Sequence, residues 1–215
     1  TYGNGQFVAV GVGSSTNATV DTVMYSDDGI TWATTTAAGD DDLWTSVTYG
    51  NGQFVAVGVG SSTNAIVDTV MYSDDGITWA TTTAAGDDDT WSSVTYGSGR
   101  FVAVADAQEI SDDDAVMYSD DGVTWATTTA AGDDDTWFAV TYANNQFVAA
   151  GWNDVIMYSD DGVTWATTTT AGGADYWRSL TFGNGTLVAV GYANDSLYKG
   201  IMHADAGFGD TTPIT

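Results

Sequence analysis

The sequence predicts an all-β protein, a single five-bladed β-propeller of four-stranded antiparallel blades, and three observations carry that expectation. The first is repetition. The 215 residues hold five copies of one unit, and Thr1–Val47 and Thr48–Val94 differ only at Thr19/Ile66, Leu43/Thr90 and Thr45/Ser92. The second is spacing. An aromatic opens each copy at Tyr2, Tyr49, Tyr96, Tyr142 and Phe182, in steps of 47, 47, 46 and 40 residues, and one methionine marks each copy (Met24, Met71, Met117, Met157, Met202). That period is too long for a helical hairpin and suits one propeller blade. The third is texture: short β-branched and aromatic runs alternate with Gly, Asn and Asp, without helical periodicity. The blades fall at about 1–47, 48–94, 95–140, 141–180 and 181–215 of one domain, 1–215.

Each element follows from its residues. Trp91–Tyr96 is a strand of β-branched and aromatic residues that ends at Gly97-Ser98-Gly99. Gly3-Asn4-Gly5, Gly50-Asn51-Gly52 and Gly183-Asn184-Gly185 hold the same place, and Asn-Gly between apolar runs forms a two-residue hairpin because both residues accept positive φ. Phe54–Gly58 makes the second strand and Thr69–Ser73 the third, separated by the polar Ser61–Asn64. Asp74-Asp75-Gly76 turns the chain into a fourth strand, Thr78–Thr83. Stacking such units buries their faces and leaves only short edges. The first unit lacks the start of its first strand, so closure calls on residues outside the sequence or on the Thr211–Thr215 tail.

Composition restricts the function. Net charge is −26, with Arg100, Arg178 and Lys199 the only lysine or arginine residues and Glu109 the only glutamate. Three scattered cations cannot neutralise a row of phosphates, which excludes nucleic acid, and an anionic membrane would repel the chain. No run approaches the roughly 18 apolar residues of a spanning helix, so membrane insertion is not expected. The apolar share of 43% is that of a globular chain, and the charge is expected to keep it separate unless salt screens it. Cysteine is absent, so there is no disulfide framework and no thiol site. Thr1 opens in mid-repeat, which suggests a processed product or a segment of something longer.

The turn between third and fourth strands reads Tyr25-Ser26-Asp27-Asp28-Gly29-Ile30-Thr31-Trp32 and recurs at Tyr72–Trp79, Tyr118–Trp125 and Tyr158–Trp165. It resembles the Asp-box, or bacterial neuraminidase (BNR), repeat of sialidase-like propellers, written Ser-x-Asp-x-Gly-x-Thr-Trp or, in a shorter spelling, Ser-x-Asp-Gly-x-Thr-Trp. That resemblance implies a structural staple made by Asp27, Gly29 and Trp32, Asp74, Gly76 and Trp79, Asp120, Gly122 and Trp125, and Asp160, Gly162 and Trp165. The degenerate fifth copy, His203-Ala204-Asp205-Ala206-Gly207, keeps only Asp-x-Gly, which favours Asp27 and its equivalents as the turn-forming carboxylates.

A sialidase of that family holds its substrate carboxylate with three arginines, and this chain has two, so the carry-over fails by count. A glycoside hydrolase would need a carboxylate pair. Glu109, in the segment Asp106–Asp114, is the only anchor for one, and a solvated acidic loop is the simpler reading. His203 replaces a Tyr in the fifth box, which is a plain substitution. No catalytic residue is assigned, and the expectation is a protein that is not an enzyme.

In an up-and-down blade the second-to-third and fourth-to-first connections emerge on one face, where grafted function tends to sit. That face collects Asp40, Asp42, Asp87, Asp89, Asp133 and Asp135, candidate Ca²⁺ ligands set against an ordinary solvated acidic surface. No other cofactor is expected. Trp44, Trp91, Trp137 and Trp177 follow these clusters, and Trp152 stands alone in a shortened loop without a counterpart elsewhere. All five are candidate ligand contacts; for the first four inter-blade packing is the simpler reading, and Trp152 is the best single candidate. The expectation is an extracellular, cell-surface or virion-surface module for carbohydrate binding, adhesion or protein recognition through this face. The alternative is a structural decoration or appendage subunit of a virion or surface layer, partnered by neighbouring subunits.

Overall fold

The computed structural model describes residues 1–13, 22–38, 43–60, 69–85, 90–106, 115–131, 136–152, 155–169, 176–192, 199–205 and 211–213. These form five four-stranded antiparallel sheets, each a simple meander in chain order. Sheet 1 holds β1 (Tyr2–Gly3), β2 (Gln6–Val10), β3 (Val23–Ser26) and β4 (Ala33–Thr35). Sheet 2 holds β5 (Trp44–Gly50), β6 (Gln53–Gly58), β7 (Val70–Ser73) and β8 (Ala80–Thr82). Sheet 3 holds β9 (Trp91–Gly97), β10 (Arg100–Ala105), β11 (Val116–Ser119) and β12 (Ala126–Thr128). Sheet 4 holds β13 (Trp137–Ala143), β14 (Gln146–Gly151), β15 (Val155–Ser159) and β16 (Ala166–Thr169). Sheet 5 holds β17 (Tyr176–Gly183), β18 (Thr186–Tyr192), β19 (Lys199–Asp205) and β20 (Thr211–Pro213). The tail is thus the fourth strand of its own sheet, paired with β19 through Met202↔Pro213, rather than a closing strand for sheet 1.

The hairpins joining first and second strands are tight because their two central residues take positive φ: Asn51 at 51° and Gly52 at 81°, with Asn4-Gly5, Ser98-Gly99, Asn144-Asn145 and Asn184-Gly185 alike. Within each sheet the second strand alternates its faces. Phe54 and Ala56 join Met71 and Trp44 against Val8 and Val23 of sheet 1, while Val55, Val57 and Val70 face Trp91, Phe101 and Met117 of sheet 3. The same division recurs between sheets 3 and 4 and between sheets 4 and 5. From sheet 1 to sheet 4 a face carrying Phe, Ala, Met and Trp thus meets a preceding face of valines, and at the last junction Trp177, Leu187 and Ala189 meet Val148, Ala150 and Ile156. Glycine cuts the notch that lets the sheets approach. A Cβ on Gly3, Gly50 or Gly97 would fall 2.0 Å from the ring of Tyr49, Tyr96 or Tyr142 in the next sheet. Side chains stitch the rims: Thr82 Oγ1 donates to Val123 O at 2.7 Å, and Val94 N donates to Ser46 Oγ at 3.1 Å.

The turn between third and fourth strands corrects one expectation. The carboxylate that closes it is Asp28, not Asp27. Asp28 Oδ1 accepts the backbone N–H groups of Ile30 and Thr31, both at 2.7 Å, and the Ser26 hydroxyl at 3.0 Å. Ser26 Oγ in turn accepts from Gly29 N at 2.8 Å, and Gly29 supplies a φ of 72°. Asp75, Asp121 and Asp161 do the same with Ser73, Ser119 and Ser159. These backbone donors hold the Asp28 carboxyl down at about 2, and lower those of Asp75, Asp121 and Asp161. The preceding aspartates have a different task. Asp27 and Asp160 accept from Gln6 and Gln146 at the start of β2 and β14, and Asp120 accepts from Arg100 Nε at 2.7 Å. Arg100, which begins β10 where sheets 1, 2 and 4 have Gln, also donates to Asp161 O of sheet 4 at 2.8 Å.

Among the described residues, the two ends of the array are left uncovered. Gly183 has nothing within 4 Å of a Cβ, and Tyr2, the ring that would fill such a notch, is 57% exposed. Met24 is 44% exposed, whereas Met71, Met117 and Met157 are sealed.

Candidate functional site

A belt of short antiparallel bridges crosses the array where the second strands end and the first strands begin. Val12 bridges Leu43, Val59 bridges Thr90, Asp106 bridges Thr136, and Trp152 bridges Tyr176. Backbone hydrogen bonds link one bridge to the next, as from Val59 N to Leu43 O at 2.9 Å, Asp106 N to Thr90 O at 3.0 Å and Trp152 N to Thr136 O at 3.1 Å. Register in sheet 5 extends the belt through Tyr176↔Tyr192. Trp152 therefore does have positional counterparts: Val12, Val59 and Asp106 follow the second strands of sheets 1, 2 and 3, and Tyr192 ends that of sheet 5. The repeat sets the backbone positions, and the copies differ in what they mount there.

The belt runs from aliphatic residues at Val12 and Leu43, through polar ones at Thr90, Asp106 and Thr136, to three consecutive aromatics. Trp152 stacks on Tyr176 with centroids 5.7 Å apart and planes 12° apart. Tyr176 stacks on Tyr192 at 4.8 Å and 17°. Adjacent positions on neighbouring antiparallel strands bring side chains together in this way, so the stack follows from register. Tyr192 is exposed, and Trp152 and Tyr176 are half-buried, so the ladder presents ring surface and hydroxyls to solvent.

Arg178 stands beside the ladder. Its guanidinium lies 3.8 Å from the centroid of the buried Phe138 ring, within 5.8 Å of Tyr176 and 5.7 Å of Tyr192. Nη2 donates to Tyr192 Oη at 3.2 Å. Phe138 and Arg178 each follow a strand-opening Trp, on β13 and β17, and this shared register places cation over ring. Across the junction, burial pushes the Asp106 carboxyl above its ordinary range, while the Arg178 charge and a hydrogen bond from Thr136 pull the other way. Asp106 Oδ1 is buried without a hydrogen-bond partner among the described residues. The stacked aromatic surface and the cation beside it can offer ring faces for stacking and a guanidinium for oxygen acceptors.

Of the five tryptophans expected to meet a ligand, four are corrected. Trp44, Trp91, Trp137 and Trp177 are sealed between sheets at 1% exposure or less, which makes them packing residues that no ligand can reach. Trp152 keeps its candidacy. Asp40, Asp42, Asp87, Asp89, Asp133, Asp135 and Glu109 lie outside the described residues. Tyr176, Arg178 and Tyr192 were missed by sequence reading, although aligning the residue before each opening Trp (Leu43, Thr90, Thr136, Tyr176) would have shown that the last junction departs from the rest.

No family model matches the sequence, and no curated protein matches it. Solved structures do. The chain is similar to the computationally designed Ika8 protein (TM-score 0.58, 14% identity, 92% of this chain and 58% of that one). It is similar to the WD40 β-propeller domain of Doa1 (TM-score 0.62, 16% identity, 97% of this chain and 64% of that one). It is similar to YCF48 bound to D1 peptide (TM-score 0.58, 14% identity, 98% of this chain and 73% of that one). The chain thus spans about three fifths of the first two. The likeness is one of fold: repeated four-stranded antiparallel sheets arranged as in β-propellers.

Proposed function

We propose that the chain comprises five blades of an Asp-box-type β-propeller and acts as a non-catalytic recognition module, outside a cell or on a virion surface, that binds glycan through the Trp152–Tyr176–Tyr192 ladder. The ladder is the observation that carries this reading. Three stacked rings, partly open to solvent and flanked by Arg178, can take the apolar face of a sugar ring on their surface and its hydroxyls on the guanidinium. The Asp-box assignment is supported by the Ser26–Asp28–Gly29 bonding pattern, which fits the shorter Ser-x-Asp-Gly-x-Thr-Trp spelling. Repeated presentation on a surface would raise a weak single-site affinity through avidity.

A glycan array with the protein displayed multivalently, run in calcium and again in chelator, tests the proposal. Selective binding in both conditions supports the ladder as the site. Binding lost in chelator makes calcium a requirement and turns attention to the aspartate clusters of the connecting loops. A blank array overturns the glycan reading.

A further inference from the structure

We infer that the Tyr192–Arg178 end of the ladder selects sugars carrying an N-acetyl group over the same sugars with a plain hydroxyl. The inference rests on the ladder as the glycan site and concerns the substituent that this site reads.

Hydrogen-bond polarity carries it. Arg178 Nη2 donates to Tyr192 Oη at 3.2 Å. That bond occupies the acceptor side of the phenol and leaves its O–H to donate elsewhere. A guanidinium has N–H donors and no acceptor, and Arg178 and Tyr192 are both exposed. Two neighbouring groups at the rim of the ladder therefore both donate, and they suit an oxygen that only accepts. Both are also held in place. The guanidinium lies 3.8 Å from the centroid of the Phe138 ring, and Tyr192 stacks on Tyr176 with planes 17° apart. A donor pair ordered before the ligand arrives loses less freedom on binding, so more of its hydrogen-bond energy appears as selectivity.

Three oxygens compete for that pair. A hydroxyl accepts, but it brings a proton that finds no acceptor at this end. A carboxylate suits an isolated guanidinium. Its surroundings here oppose an anion: the chain carries −26, and the Arg178 charge already acts on the Asp106 carboxyl across the junction. In the sequence, Asp154, Asp175 and Asp195 each lie within three residues of a ladder ring, a tether of at most about 11 Å. An acetamido carbonyl accepts without bringing a charge. Its methyl group can lie on the ring faces of Tyr176 and Tyr192, so one substituent uses the donors and the aromatic surface together.

The test is binding of the whole chain to polyacrylamide conjugates of N-acetylglucosamine, N-acetylgalactosamine, glucose, galactose and glucuronate in about 0.15 M sodium chloride. Each N-acetyl sugar differs from its parent at one substituent. At least one N-acetyl conjugate should bind about tenfold more tightly than its parent, and glucuronate should bind less tightly than that conjugate. Tyr192→Phe keeps the ring and removes the donor, so it should bring the preference down to about twofold while parent sugars bind as before. Trp152→Ala should weaken N-acetyl and parent conjugates alike. If Tyr192→Phe alters the far-UV circular dichroism, Arg178→Met takes its place with the same expected loss of preference. Equal binding of N-acetyl and parent sugars overturns the inference, as does preference for glucuronate or a preference that Tyr192→Phe leaves intact. If none of these conjugates binds while other glycans of the array do, the inference alone falls; if no glycan binds at all, the ladder reading falls with it.

Discussion

Two adjacent aspartates with one spelling in the sequence divide the work of each turn, and hydrogen bonding separates them. Asp121 Oδ1 accepts two backbone N–H groups and the Ser119 hydroxyl, while Asp120 is half of an exposed pair with Arg100. Asp121→Ala should lower stability by about 1 kcal/mol after solvent screening, and Asp120→Ala by no more than a few tenths. Urea unfolding of the two variants beside wild type would show the difference. The same bonds fix an acid limit. Carboxyls that titrate below the ordinary 3.8 contribute fully above about pH 4, and their contribution is lost as pH falls through the folded value, about 2 for Asp28. Thermal midpoints should therefore fall between pH 4 and 2, and Asp121→Asn should flatten part of that fall. The sequence pointed to the wrong member because the degenerate fifth copy lacks the serine that selects the second Asp.

At the level of strands and junctions, most of the structure was legible. Asn-Gly hairpins, alternating valines and the Asp-Asp-Gly turns are local signals, and each of the four strands in a copy has one. The fit between sheets was not legible, because a glycine in a turn signal looks alike whether it serves backbone φ or makes room for a neighbour. Gly97 does the latter. Gly97→Val drives its side chain into Tyr142 and should cost roughly 1–3 kcal/mol. Gly183→Val, at the equivalent position with open space, should cost close to nothing in the single chain. Chemical denaturation at low salt distinguishes the two.

Across the whole molecule, the repeat supplies a scaffold and the last junction departs from it. The strand-opening tryptophans read from sequence as both packing and contact residues, and burial assigns them to packing. What marks the candidate site is a register shared by Trp152, Tyr176 and Tyr192, which are separated by up to 40 positions in the chain. Pairing of Trp152 with Tyr176 between sheets 4 and 5, and of Tyr176 with Tyr192 within sheet 5, brings them together, which composition could not show. The chain's acidity makes Arg178 a conspicuous cation, and its place over Phe138 and against Tyr192 is part of the same junction.

The most direct measurement is binding of the responsive glycans by wild type, Trp152→Ala and Tyr192→Ala, with Trp91→Phe as a buried control. The ladder predicts a loss of about five- to thirtyfold for the first two, as expected for removal of a stacking ring worth about 1–2 kcal/mol, and unchanged binding for the control. Wild-type affinity retained by Trp152→Ala and Tyr192→Ala would contradict the assignment of recognition to this junction.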